Sequence, residues 1–150
     1  MKAFAALVGF ALLASGAWAQ SLKEKYELSA QCGMLAAETF RKYWGSGIST
    51  SSTGQIIGKY ENHYNYRLNK CFYLEISDSY ERGKSPFRLM RLYDLPESRD
   101  LDLPESREIG AFVGIRTVFL EEKTTLCSVQ EKECKTEEEW RALIKPFMED

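Results

Sequence analysis

The sequence is short of the residues that carry most reaction chemistry. Its 150 residues include one histidine, His63. Zinc sites and Ser/His or Cys/His machinery draw on histidine, so any of them would have to be built around that one side chain. There are four cysteines and none fall as C-x-x-C, which excludes zinc-ribbon and thioredoxin-like patterns. No G-x-S-x-G elbow occurs. Gly54 and Gly58 match neither the phosphate-loop nor the dinucleotide glycine spacing. No cofactor is therefore expected. Basic residues number 20 against 22 acidic ones, so there is no positive field of the kind nucleic-acid binders carry. What is present is a chain with 13% aromatic and 44% hydrophobic residues, long enough for one domain with its own core.

The first residues read as a secretory signal peptide. Lys2 supplies the positive start, Ala3 to Ala14 the apolar stretch, and Ala17-Trp18-Ala19 a small-residue cleavage site. That stretch is shorter than the roughly 20 residues a bilayer-spanning helix needs. Residues 1–19 are expected to be removed, leaving a single exported domain over 20–150 with no stable membrane insertion.

Cys32, Cys71, Cys127 and Cys134 all lie beyond the cleavage site. An even number in a small exported domain favours two disulfides, and four cysteines allow three pairings. Cys127–Cys134 with Cys32–Cys71 is the favoured one: a local bridge, and a longer one fastening an N-terminal helix to a hairpin.

Leu22 to Trp44 reads as a helix, with Leu28, Cys32, Leu35, Ala36, Phe40 and Tyr43 as its apolar stripe. Gly45 to Gly58 is rich in Ser, Thr and Gly and reads as a loop. Tyr60 to Ser79 reads as a hairpin. Pairing Leu68 with Phe72, Tyr66 with Leu74 and Tyr64 with Ile76 gathers its apolar residues on one side. That register uses Asn69-Lys70-Cys71 as a loop containing a left-handed residue. Phe87 to Tyr93 and Ile109 to Leu120 read as further strands, with Thr124 to Val129 a short fifth. At the end, Thr136 and Glu139 form a capping box, and Trp140, Leu143, Ile144 and Phe147 repeat at core-facing helical spacing. The expected fold is α+β: an N-terminal helix on a four- or five-stranded antiparallel sheet, completed by a C-terminal helix.

In the same hairpin register His63 lies opposite Ser77, with Asn62, Asn65 and Glu75 close by. A polar surface site built from Asn62, His63, Asn65 and Ser77 is the one candidate constellation. A flat strand face gives it no oxyanion hole, so a structural role for His63 stands against a hydrolytic one. Glu61, Glu75 and Asp78 read as solvated carboxylates. Arg82, Lys84, Arg88 and Arg91 read as a solvated basic group.

Between the third and fourth strands the octapeptide starting at Asp94 is followed by a near-copy starting at Asp102. Pro96 and Pro104 keep this segment out of a central strand. It reads as a surface-loop duplication, with an acidic docking arm as the sharper alternative.

Asn62-His63-Tyr64-Asn65 with Leu68-Asn69-Lys70-Cys71-Phe72, and the Cys127…Cys134 pair before Glu138-Glu139-Trp140, resemble motifs of small exported bacterial proteins of uncharacterised function. The resemblance implies export and a cystine-bearing domain, and it assigns no activity. The functional expectation is a non-enzymatic binding or interaction module whose partner is an unknown protein or envelope component. An inhibitor of an exported hydrolase, using the 45–58 segment as a plug, is the alternative. A small hydrolase using His63 is a third reading.

Overall fold

The structure, a computed structural model, describes residues 22–96, 107–116 and 122–150. The expected signal peptide, most of the doubled octapeptide and the end of the strand expected over Ile109–Leu120 lie outside them. No helix among the described residues is long and apolar enough to cross a membrane.

The chain is α+β. Helix α1 (Leu22–Trp44) precedes seven strands and helix α2 (Glu137–Met148) follows them. The strands are β1 (Ile48–Thr50), β2 (Gly54–Asn65), β3 (Lys70–Glu81), β4 (Phe87–Leu95), β5 (Arg107–Arg116), β6 (Glu122–Val129) and β7 (Lys132–Glu133). They form one antiparallel sheet in sequence order. Each strand pairs with its chain neighbour, so the sheet is an antiparallel meander. Two strands exceed the expected number. β1 pairs with Gln55–Ile57 inside the stretch read as a loop, and the short β7 pairs with the end of β6. The 45–58 segment is thus an edge hairpin that turns at Ser51, whose hydroxyl accepts the Gly54 N–H at 3.2 Å.

Both disulfides join the favoured partners. Cys32–Cys71 ties α1 to β3, and Cys127–Cys134 ties β6 to the segment leading into α2. Chain-entropy reasoning credits the first, closing a 39-residue separation, with roughly 4 kcal/mol, and the second, closing 7, with roughly 2.5 kcal/mol.

The two helices cover opposite faces of the sheet. On one face Phe72, Leu74, Ile76, Met90, Leu92 and Phe112 meet Trp140 and Ile144 of α2. On the other, Cys71, Tyr73, Tyr93 and Leu95 meet Cys32 and Ala36 of α1. β3 is therefore buried on both sides for most of its length. This explains its continuous apolar run, where a strand with one wet face would alternate. α1 runs antiparallel along β2. Trp44 lies on Gly58, Phe40 meets Tyr60 at a tilt with ring centroids 4.8 Å apart, Gly33 sits beside Asn62, and the Lys25 carbonyl accepts a bond from Tyr66 Oη. Gly58 is required there, because a Cβ would stand 2.3 Å from the Trp44 ring.

α2 begins as its sequence dictates. Thr136 Oγ1 accepts the Glu139 N–H at 3.1 Å, while Glu139 Oε2 accepts the Lys135 N–H at 2.7 Å. Trp140 is fully buried, and its indole donates to the Ser128 carbonyl at 3.1 Å.

The β2–β3 register differs from the expected one. Asn65 pairs with Lys70, Tyr64 with Cys71 and His63 with Phe72, joined by the turn Tyr66-Arg67-Leu68-Asn69. Asn69 takes the left-handed conformation (φ 53°). The expectation assumed one buried face. With helices on both faces, collecting every apolar residue on one side is no longer the optimum. Leu68 leaves the strand and becomes partly exposed, and Phe72 and Tyr73 point to opposite cores.

Candidate functional site

The register shift dismantles the expected constellation. His63 shares the α2 face with Phe72, whereas Ser77 stands opposite Gly58 and Leu89 on the α1 face and is buried. The two side chains lie on opposite sides of the sheet and form no pair. Asn62 is exposed and lies beside α1, with Nδ2 3.9 Å from Cys32 Sγ. His63 Nε2 is 3.5 Å from Asp150 Oδ1, an ion-pair distance without hydrogen-bond alignment.

Asn65 is fully buried and has a clear structural task. Its Nδ2 donates to the carbonyls of Pro146 (3.0 Å), Phe147 (3.3 Å) and Glu149 (3.0 Å). The last carbonyls of a helix have no partner within it, and Asn65 supplies one from another element. Its Oδ1 accepts the Leu68 N–H at 2.9 Å and so also shapes the hairpin turn. The same end of the sheet is reinforced by Arg67 Nη2 on the Pro146 carbonyl and by Asp150 Oδ1 on the Tyr66 N–H.

Four side chains read as solvated, Glu75, Asp78, Arg88 and Arg91, are tied into ion pairs. Glu75 is 3% exposed, and its carboxylate accepts from Trp44 Nε1 (2.9 Å) and Arg91 Nη2 (3.2 Å). Arg88 bridges Asp78 (2.7 Å) and Glu137 (3.2 Å), linking β3, β4 and α2. Burial works to raise the Glu137 pKa, but the guanidiniums of Arg141 and Arg88 outweigh it and hold the carboxyl below its ordinary value. Of the eight tyrosines two are buried, and Tyr26, Tyr43 and Tyr80 are exposed. Tyr73 and Tyr93 are buried, and burial pushes the Tyr93 hydroxyl up to about 12 and Tyr73 higher still.

A concavity lies elsewhere, on the α1 face, between α1 and the ends of β3, β4 and β5. It is an open groove of about 1050 Å³. Leu28, Leu35, Leu95 and the Cys32–Cys71 bridge give it an apolar floor. Lys70, ion-paired to Asp94, stands on one rim with Arg107 nearby, and Glu38 and Gln31 of α1 stand on the other. Met34 projects from the α1 wall and is 60% exposed. An apolar floor with a mixed polar rim suits binding, and it holds no nucleophile with an adjacent base.

The groove could not be found from the sequence by motif. Its α1 wall was legible, since Leu28 and Leu35 belong to the helical stripe. The opposite wall depends on where β4 and β5 end relative to α1, which only the sheet order sets. No protein-family model, curated protein or solved structure matches the chain.

Proposed function

We propose that the protein is an exported, disulfide-braced binding module. Its ligand is a segment of an envelope or extracellular protein, held in the α1 groove. The observation that carries this reading is the groove itself: an apolar trough whose floor is a covalent bridge between its two walls. Such a floor preorganises the site, because ligand binding then orders little of the host. The leader-like start and the two bridges support export. A hydrolytic reading has no support in the placement of His63 and Ser77, which face different cores.

A pull-down of the oxidised protein from envelope extract tests this, run beside Met34→Arg. Met34 is exposed, so the substitution leaves the core intact. The expected result is a specific protein retained by the parent chain and lost with Met34→Arg. A photo-cross-linking residue at Gln31 should then label the same protein. Retention unchanged by Met34→Arg, with no adduct from position 31, would place the binding surface outside the groove and overturn the proposal.

A further inference from the structure

α1 covers only part of its side of the sheet. It packs on β2 and β3, and α2 lies on the opposite face. The ladder places Ser77, Leu89, Val113 and Leu126 in one row across β3 to β6, and Ser79, Phe87 and Ile115 in the next. By the two-residue strand period these rows share the α1 face with Tyr73 and Tyr93. Among the described residues no helix lies over their β4–β6 part. That part is nonetheless apolar. Phe87 and Leu126 are 38% and 46% exposed, and Leu89, Val113 and Ile115 are half-buried. A strand face left to water carries polar residues at such positions. β4 runs from this patch to the groove floor, which it reaches at Leu95.

The vacant part has the dimensions of a second helix. A seat two strands beyond α1 lies over β4 and β5. Two strand spacings are about 9.6 Å, within the 8–10 Å that separates packed helix axes. The flank of α1 that lines the groove carries Leu28, Gln31, Leu35 and Glu38. Their steps of three and four residues are the spacing at which one helix meets another along a seam. The form of the occupant follows from the strands beneath it. β3, β4 and β5 are each paired on both sides, so an extended segment laid here would find no open ladder. A helix bonds its own backbone and asks the surface only for side-chain contacts.

We propose that the groove is one end of a helix seat. The ligand segment is an amphipathic α-helix lying beside α1 across β4 and β5, with its apolar stripe on Leu95, Leu89, Val113 and Phe87. Basic residues stand on its flank toward Glu38, which supplies the negative charge of the α1 wall. The nine residues of β4 span roughly 30 Å, a distance that about 20 helical residues cover. This proposal rests on the groove reading and names the form of its ligand.

Two labelled synthetic peptides test it. The first has three heptads with leucine at the two seam positions and lysine and glutamine elsewhere. The second has two central residues replaced by proline, which forbids the helix. Each is titrated against the purified, oxidised chain, with binding read by anisotropy and helix formation by circular dichroism. The first peptide should bind saturably and gain helix. Binding should weaken at least about tenfold for the proline peptide, and likewise for the first peptide on Phe87→Glu, which sets a charge under the apolar stripe. Phe87 is exposed and lies outside the groove lining. If Phe87→Glu fails to fold, Leu126→Glu, at the far rim of the seat, should give the same loss. No saturable binding of the first peptide, equal binding of the proline peptide, or indifference to these substitutions overturns the proposal. An envelope protein whose capture is lost with Met34→Arg but unmoved by Phe87→Glu would keep the groove reading and overturn the helix seat alone. A dimer of the chain that Phe87→Glu dissociates would put a second copy in the seat and overturn it as well.

Discussion

The side-chain amide of Asn65 lies 3.0 Å from the carbonyl oxygen of Pro146, joining β2 to the last turn of a helix 81 residues later. Pro146 lies within the last turn of α2, which ends at Met148 with the Glu149 N–H on the Lys145 carbonyl. Asn65 receives the carbonyls left over at that end. One short side chain thus closes the hairpin turn and anchors the C-terminal helix.

Asn65→Ala should therefore destabilise the fold by about 2–3 kcal/mol, since it orphans buried acceptors as well as the Leu68 N–H. Asn65→Asp should be no better, because a carboxylate cannot donate to those carbonyls. Urea unfolding reads both. A midpoint unmoved by Asn65→Ala would show that water satisfies the helix end equally well.

Stability should fall on the acid side through Glu137. Its pKa is lowered in the folded state, so its contribution is fully present above the ordinary value of 4.5 and is lost as pH falls through the folded value. In a comparison of melting temperatures from pH 7 down to about pH 2, Glu137→Gln should lower the neutral-pH value and flatten the acid decline. Parallel curves for the two proteins would assign the acid loss to other carboxylates.

One copy of the octapeptide should be dispensable. Asp94 pairs with Arg107 across β4 and β5. Deleting residues 94–101 puts Asp102 in the place of Asp94, joined to Arg107 by Leu103-Pro104-Glu105-Ser106. That is an ordinary hairpin connection length, and loop length itself costs little. The melting temperature should change by no more than about 2 °C. Unfolding of the deletion variant would mean that the second copy bears structural weight.

Several features of the fold were legible in the chain because they are local. The bounds of α1 follow from its apolar stripe and from the glycines after Trp44. The start of α2 follows from Thr136 and Glu139, and its buried side from Trp140 and Ile144. The disulfide pairing was legible too, because only one arrangement links a local pair and a helix to a hairpin. Glu75 was misread as solvated, because its partners Trp44 and Arg91 come from α1 and β4 and reach it only in the folded sheet.

The sequence by itself determined the helices, the antiparallel character of the sheet and the crosslinks, but not β1 or β7, since capping, periodicity and cysteine number act within a few residues or through chain counting. Tertiary structure alone decided the β2–β3 register, and with it the separation of His63 from Ser77 and the position of the groove. The physical reason is the second helix layer. Once both faces of β3 are dry, strand alternation no longer distinguishes inside from outside, and the choice passes to long-range contacts such as Asn65 with Pro146 and Cys32 with Cys71.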